Sequence, residues 1–249
     1  MPEFSPPTSS THTRRSLLVA TAVASAGGAA ATVRARPHRP GAMARHIDDL
    51  ADRLEVADLV QRERAARDAG QWDDMARCWH SQSSVDVSWY QGDGAGFVAG
   101  SRRNARSGRV SLHQLTPSVV RVAGNRSIAE TPCELLSFVP VETVDMCMTG
   151  VVRLLWRAQR QDERWLIAGL RMIYIRDYLI PCDPSHVPLI ERAELATYRP
   201  SYRYLSYVLA RSPNHARDDL PGIDRPEGVE AMRAGEALWL AGGRAPGSR

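Results

Sequence analysis

The sequence predicts an α+β domain in which helices pack on one face of an antiparallel sheet. Two observations carry this. Apolar residues recur at helical spacing before residue 80, and between residues 84 and 178 they alternate as half-buried strands do, so the helices come first and the strands follow as a run. A third observation closes the sheet: Pro181, Pro184 and Pro188 end the alternation, and helical spacing returns beyond them. With 249 residues, 43% hydrophobic and 24% charged, the chain has enough material for one main core and an appendage.

Residues 1–43 read as a leader and linker outside the fold. Thr13-Arg14-Arg15-Ser16-Leu17-Leu18 opens a mild apolar run through Val19, Ala22 and Val23 to Ala29-Ala30-Ala31, interrupted by Gly27 and Gly28. Paired arginines, a weak apolar stretch and small residues resemble a twin-arginine export signal, which implies a periplasmic or extracellular protein with no membrane span in its mature form. A start at Met43, after the Pro/Arg stretch, would instead leave the protein cytoplasmic. The main domain is expected over residues 44–183 and a helical extension over 184–249.

Within the domain, Leu50, Leu54, Val56, Leu59 and Val60 give a helix over 47–68, with Asp48 and Asp49 near its start and Ala69-Gly70 as its stop. A short helix follows over 72–79. Ser84 to Tyr90 alternates as a strand, and Gly92, Gly94 and Gly96 break it. Those glycines lack the following lysine of a phosphate loop and read as a pocket-mouth loop. Phe97 to Arg109 predicts a short helix. Strands then run over 110–122, 126–139, 144–160 and 164–178, turning at Ala123-Gly124-Asn125 and at Gln161-Asp162-Glu163. The extension reads as short helices over 189–197, 202–211 and 226–241, wrapping the domain or a partner subunit.

Composition excludes several function classes. The net charge of +4 and pI near 9.1 come from arginines spread along the chain without a nucleic-acid motif, so no nucleic-acid partner is expected. Cys78, Cys133, Cys147 and Cys182 show neither CxxC nor histidine spacing suited to zinc and are expected as small buried hydrophobes, with no metal and no cofactor.

The stretch Val110 to Val122 puts His113 on an apolar strand. An imidazole there is either a satisfied core group or, if a carboxylate orients it, a general base whose ordinary pKa suits proton transfer near neutral pH. Asp68, ending the first helix, is the natural partner. Arg171 shares a strand face with Ile167, Gly169, Ile173 and Ile175, where an arginine needs a partner or a ligand oxygen. Trp89, Tyr90 and Tyr174 are candidate pocket walls, and either tyrosine is a candidate proton donor.

The first helix ending in Ala66-Arg67-Asp68-Ala69-Gly70-Gln71-Trp72-Asp73, then Trp79-His80, the strand Val85-Asp86-Val87-Ser88-Trp89 and the strand bearing His113 resemble the SnoaL-like branch of the nuclear transport factor 2-like superfamily. Scytalone dehydratase, lindane dehydrochlorinase, ketosteroid isomerase and polyketide cyclases belong to that superfamily. The resemblance covers about residues 44–183. It implies a cone-shaped α+β barrel, a curved sheet wrapped against helices around a deep apolar pocket. It also implies Asp68 orienting His113 for removal of a proton from carbon, with Arg171 in the pocket. The chain departs from the pattern at His80-Ser81-Gln82, where members read His-Pro-Asp, and at Glu63, where the dehydrochlorinase has lysine.

The expected function is therefore a cofactor-free lyase or isomerase of dehydratase type, acting on a small hydrophobic or polycyclic substrate. The alternative is a non-catalytic binding or assembly module of the same fold. A homo-oligomer, dimer or trimer, is the expected assembly.

Overall fold

The computed structural model describes residues 41–108, 110–212 and 217–245. The leader with its paired arginines, and the export expectation resting on it, lie outside them.

Helix α1 (Ala42–Asp68) buries Val56, Leu59 and Val60, whereas Leu50 and Leu54 are exposed, and in its first half Asp52 still reaches the sheet by accepting from Trp165 Nε1 at 3.3 Å. Its end is tightly specified. Gly70 adopts a left-handed φ of 69°, which a glycine accepts without steric cost, and the amides of Gly70 and Gln71 return to the carbonyls of Arg67 and Ala66. This closure fixes Asp68 as the last helical residue. Helix α2 (Trp72–Arg77), strand β1 (Trp79–Val87) and short strand β2 (Tyr90–Gly92) follow. Asp93 caps helix α3 (Gly94–Arg106) by accepting from the Gly96 amide at 2.7 Å. A Cβ at Gly96 would run into the Tyr90 hydroxyl.

The single strand expected over 110–122 is two, β3 (Val110–Leu115) and β4 (Val119–Ala123). Pro117 has no amide hydrogen to give a ladder, and the chain leaves the sheet at Thr116-Pro117-Ser118. Both pieces lie along β5 (Arg126–Val141), with Leu115 opposite Cys133 and Val119 opposite Glu130. Strands β6 (Val144–Gln161) and β7 (Arg164–Pro181) complete the sheet, joined by a two-residue turn with Asp162 and Glu163 both at positive φ, as type I′ hairpins require.

The seven-stranded sheet is open and curved and runs β2-β1-β7-β6-β5-β3, with β4 also on β5. One pairing departs from the antiparallel expectation: β1 lies parallel to β7, with Val85 opposite Leu170 and Asp86 opposite Arg171. The two strands are joined through the rest of the sheet and not by a hairpin, which leaves parallel pairing open to them. Two β-bulges interrupt β6–β7. Arg157 and Ala158 face Gly169 and Ile167, leaving Ala168 extra, and Val151 and Val152 face Arg176 and Tyr174, leaving Ile175 extra.

The core lies between the sheet's inner face and α1, α2 and α3, built on Trp79, Phe97, Leu154, Trp156, Leu170 and Met172. The extension forms α4 (Arg192–Leu195), a 3-10 turn (Pro200–Tyr202), α5 (Arg203–Ala210) and α6 (Pro226–Leu240). Arg199 ties it together through Asp224 at 2.8 Å and the carbonyls of Asp218 and Leu220. Helix α6 covers the outer sheet face, packing Met232 on Leu155 and Ile173. Arg126 fastens that helix by donating to the carbonyls of Trp239 and Gly243. All four cysteines are free; Cys78 and Cys133 are buried as expected, but Cys182 is exposed. Among the described residues no helix is long and apolar enough to cross a membrane.

Candidate active site

A cavity of about 660 Å³ opens between the inner sheet face, the end of α1, α3 and α5. Its walls are largely apolar, with Trp72, Trp89, Met148, Val152, Met172, Leu205 and Leu209 among them. Arg67, Asp68, Ser101 and Asn104 sit toward the α1 end, and Arg176, Asp177 and Arg211 line it elsewhere. The size and the mix of apolar walls with polar and charged groups suit one small organic molecule.

Asp68 and His113 meet at the α1 end. One carboxylate oxygen lies 2.7 Å from His113 Nδ1 and the other accepts from the His113 backbone amide, also at 2.7 Å. The carboxylate thus fixes both the strand and the ring. An acceptor on Nδ1 sets the tautomer, with hydrogen on Nδ1 and a lone pair on Nε2. That lone pair faces Arg64 Nη1 at 3.4 Å. The imidazole is 1% exposed and stands behind Asp68 and Arg67, which themselves line the cavity.

Arg64 is held by Glu63, whose oxygens accept from Nε at 2.5 Å and Nη2 at 2.8 Å, and Trp79 Nε1 donates to the same carboxylate at 3.1 Å. Its guanidinium also stacks over Trp156, 5.0 Å from the ring centroid. Glu63 is therefore an internal partner for an arginine and does not line the cavity.

Burial and the neighbouring Arg64 and Arg67 guanidinium groups push the His113 imidazole down to about 3, against the opposing pull of Asp68, so it is neutral near neutral pH. Burial alone would raise the Asp68 carboxyl, but the hydrogen bonds and charge of His113 carry it below its ordinary value. Burial and Arg64 lower Arg67 to about 10.

The other expected site residues divide. Trp89 and Tyr174 line the cavity. Trp89 stacks on Phe97 with centroids 5.3 Å apart. The Tyr174 hydroxyl is already engaged, accepting from the Ser88 amide at 3.0 Å and donating to Met172 Sδ at 3.5 Å, and burial pushes it up to about 12. Tyr90 stands outside the cavity and donates to the Asp93 carbonyl. Arg171 does not reach the cavity either. The extra residue at Ala168 reverses the faces of β7, so Leu170, Met172 and Tyr174 turn inward, and Arg171 faces Asp86 and Glu236, at 3.9 Å from each.

Sequence reasoning missed Arg64 and Arg67. A signal was present: Glu63, Arg64 and Arg67 continue the inward stripe of Val56, Leu59 and Val60 at spacings of three and four, so charged side chains occupy core positions. Among the described residues no group of three or more His, Cys, Asp or Glu is arranged to hold a metal ion.

Residues 48–171 match the family described as the SnoaL-like domain. This segment is a SnoaL-like domain. The chain is similar beyond the SnoaL-like domain to two proteins of the fungus Fusarium vanettenii. Pea pathogenicity protein 2 is 25% identical over 215 residues, covering 82% of this chain and 91% of that protein. A PEP2-like protein is 23% identical over 209 residues, covering 78% and 87%. Among solved structures, a hexachlorocyclohexane dehydrochlorinase (LinA) of type 3 from Novosphingobium barchaimii is 17% identical, covering 58% of this chain and 99% of its own, with a TM-score of 0.48.

Proposed function

We propose that the SnoaL-like domain is a cofactor-free lyase or isomerase of dehydratase type, in which His113 and Asp68 move a carbon-bound proton of a small, mainly apolar substrate. The observation supporting this most is the double engagement of Asp68, at 2.7 Å from both Nδ1 and the backbone amide of His113, at one end of a cavity of about 660 Å³. Asp68 fixes the tautomer that leaves Nε2 as the base and stabilises the imidazolium formed when Nε2 takes the proton. In an elimination the C–H electron pair becomes the new C=C bond and the C–O bond breaks. The proton on Nε2 then goes to the departing hydroxide, so water leaves and neutral imidazole is restored. The step requires Arg64 Nη1 to yield Nε2 to the substrate.

A specific observation favours a second reading, a binding module of the same fold: the imidazole is enclosed, with Asp68 on one nitrogen and Arg64 on the other. An imidazolium formed beside Arg64 also meets a like charge. Deuterium exchange separates the two. The full chain is incubated in D₂O with 2-tetralone, and incorporation at the carbon next to the carbonyl is followed by NMR. Faster incorporation than in buffer, lost in His113→Ala and at least tenfold slower in Asp68→Asn by roughly the size of such acid–base effects, is the expected result. Saturable binding of 2-tetralone with exchange no faster than in buffer would overturn the enzymatic reading in favour of the binding module.

A further inference from the structure

The buried charges at the cavity's α1 end are unevenly matched. Both oxygens of Glu63 are engaged, by Arg64 and Trp79, and both oxygens of Asp68 receive His113. Arg67, only 12% exposed, is matched more loosely, by one long ion-pair contact to Asp68. Its Nη1 lies 3.6 Å from Asp68 Oδ1 and 3.5 Å from His113 Nδ1, whose hydrogen is directed to Asp68. Nε is buried with no hydrogen bond among the described residues, and none engages Nη2. These two nitrogens form the edge with which a guanidinium grips a planar oxygen group side-on. Burying Nε without an acceptor is unfavourable. Phe97 of α3 lies under the guanidinium, 5.9 Å from its centroid. One turn along the same helix, Ser101 lines the cavity with a buried hydroxyl that also has no partner among the described residues.

We propose that Arg67, with Ser101 beside it, is the receptor for the polar head of the cavity's ligand, and that this head is a carboxylate or ketone oxygen on a body of one or two fused rings. On binding, the Nε/Nη2 edge turns to the ligand oxygen, and the apolar walls formed by Trp72, Trp89, Met148 and Met172 take the rings. The head lies against the residue adjoining Asp68, which sets the carbon next to it toward the dyad. The inference rests on the cavity binding a small molecule and holds whether or not the dyad is catalytic.

The test is calorimetric, on the full chain, with three probes of similar size: 2-naphthoate, 2-acetylnaphthalene and the hydrocarbon 2-ethylnaphthalene. Wild type should bind at least one oxygen-bearing probe roughly tenfold or more tightly than the hydrocarbon, in line with a hydrogen bond to a charged donor. Carboxylate and ketone arms show which oxygen is preferred. Arg67→Met should remove the preference while leaving hydrocarbon affinity within about twofold, as expected when only a polar contact is lost. Arg67→Lys, which keeps the charge without the fork, guards against misfolding of the first variant and should keep at most part of the preference. Equal binding of all three probes by wild type, or an unchanged preference in both variants, overturns the assignment while leaving a ligand cavity in place. If none of the probes binds, the cavity reading falls with it.

Discussion

The sheet carries a cluster of charged side chains on each face, and the two behave differently. On the inner face, Glu63 with Arg64 and Asp68 with His113 are joined by contacts of 2.5–2.8 Å, while Arg67, which lines the cavity, approaches Asp68 only at 3.6 Å. On the outer face, under α6, Arg157 and Arg171 approach Glu236 at 3.5 and 3.9 Å, while Arg157 donates to Ser84 at 2.7 Å and Arg217 to Asp86 at 2.9 Å. None of these outer residues lines the cavity. Buried charge is common to both faces, so it does not by itself mark a site. What distinguishes the inner cluster is an open volume beside it and an arginine Nε without a hydrogen-bond partner among the described residues.

The largest effect should come from removing one half of the tightest inner pair. Glu63→Ala leaves Arg64 buried without its carboxylate, a change that costs about 3–5 kcal/mol. Urea unfolding should show it, and a loss below about 1 kcal/mol would place the inner pair with ordinary surface pairs. Acidification comes next. His113 takes a proton near pH 6.5 when unfolded and only near pH 3 when folded, so the unfolded chain binds more protons between those values and stability falls as pH drops through that window. The depressed Asp68 carboxyl adds to the loss, in the same direction, at the acidic end of the window. Stability measured between pH 7 and pH 4 should fall less steeply in His113→Leu; equal slopes would contradict the burial assigned to the imidazole.

Asp68→Asn replaces the ionised acceptor of two 2.7 Å bonds by a neutral one and should cost about 1.5–3 kcal/mol, read as a lower urea midpoint. The smallest effect belongs to the outer face. Arg171, 23% exposed and 3.9 Å from its partners, should lose under about 1 kcal/mol on change to Ala, with no change in the affinity of 2-naphthoate. A weakened affinity would return Arg171 to the site and erase the contrast between the faces.

Much of the architecture was legible. The change from helical spacing to alternation marked the order of elements, and Ala69-Gly70 marked where α1 stops and so where Asp68 sits. The pairing of Asp68 with His113 spans 45 residues of chain, and since no local pattern links a helix end to a distant strand, residue chemistry only suggests it and the resemblance tips the balance. Arg171 lies on the face opposite to the one that unbroken alternation along β7 predicts. The bulge at Ala168 depends on how β6 is aligned opposite it, which the residues of β7 alone do not encode. The break at Pro117 was written in the chain, by contrast, because the missing amide is a property of that residue. Arg67 was legible in principle, as a charge on an apolar stripe, but its role depends on the cavity, which exists only after packing.

The placement of α5 has its own consequence. Asp68 and His113 belong to the segment matched by the SnoaL-like family, while Leu205, Val208, Leu209 and Arg211 line the same cavity from beyond it. One stretch of chain therefore holds the Asp68–His113 pair, and another supplies part of the wall of the cavity beside it. Substitutions along α5 would reshape the cavity from outside the matched segment, leaving the contacts between Asp68 and His113 in place.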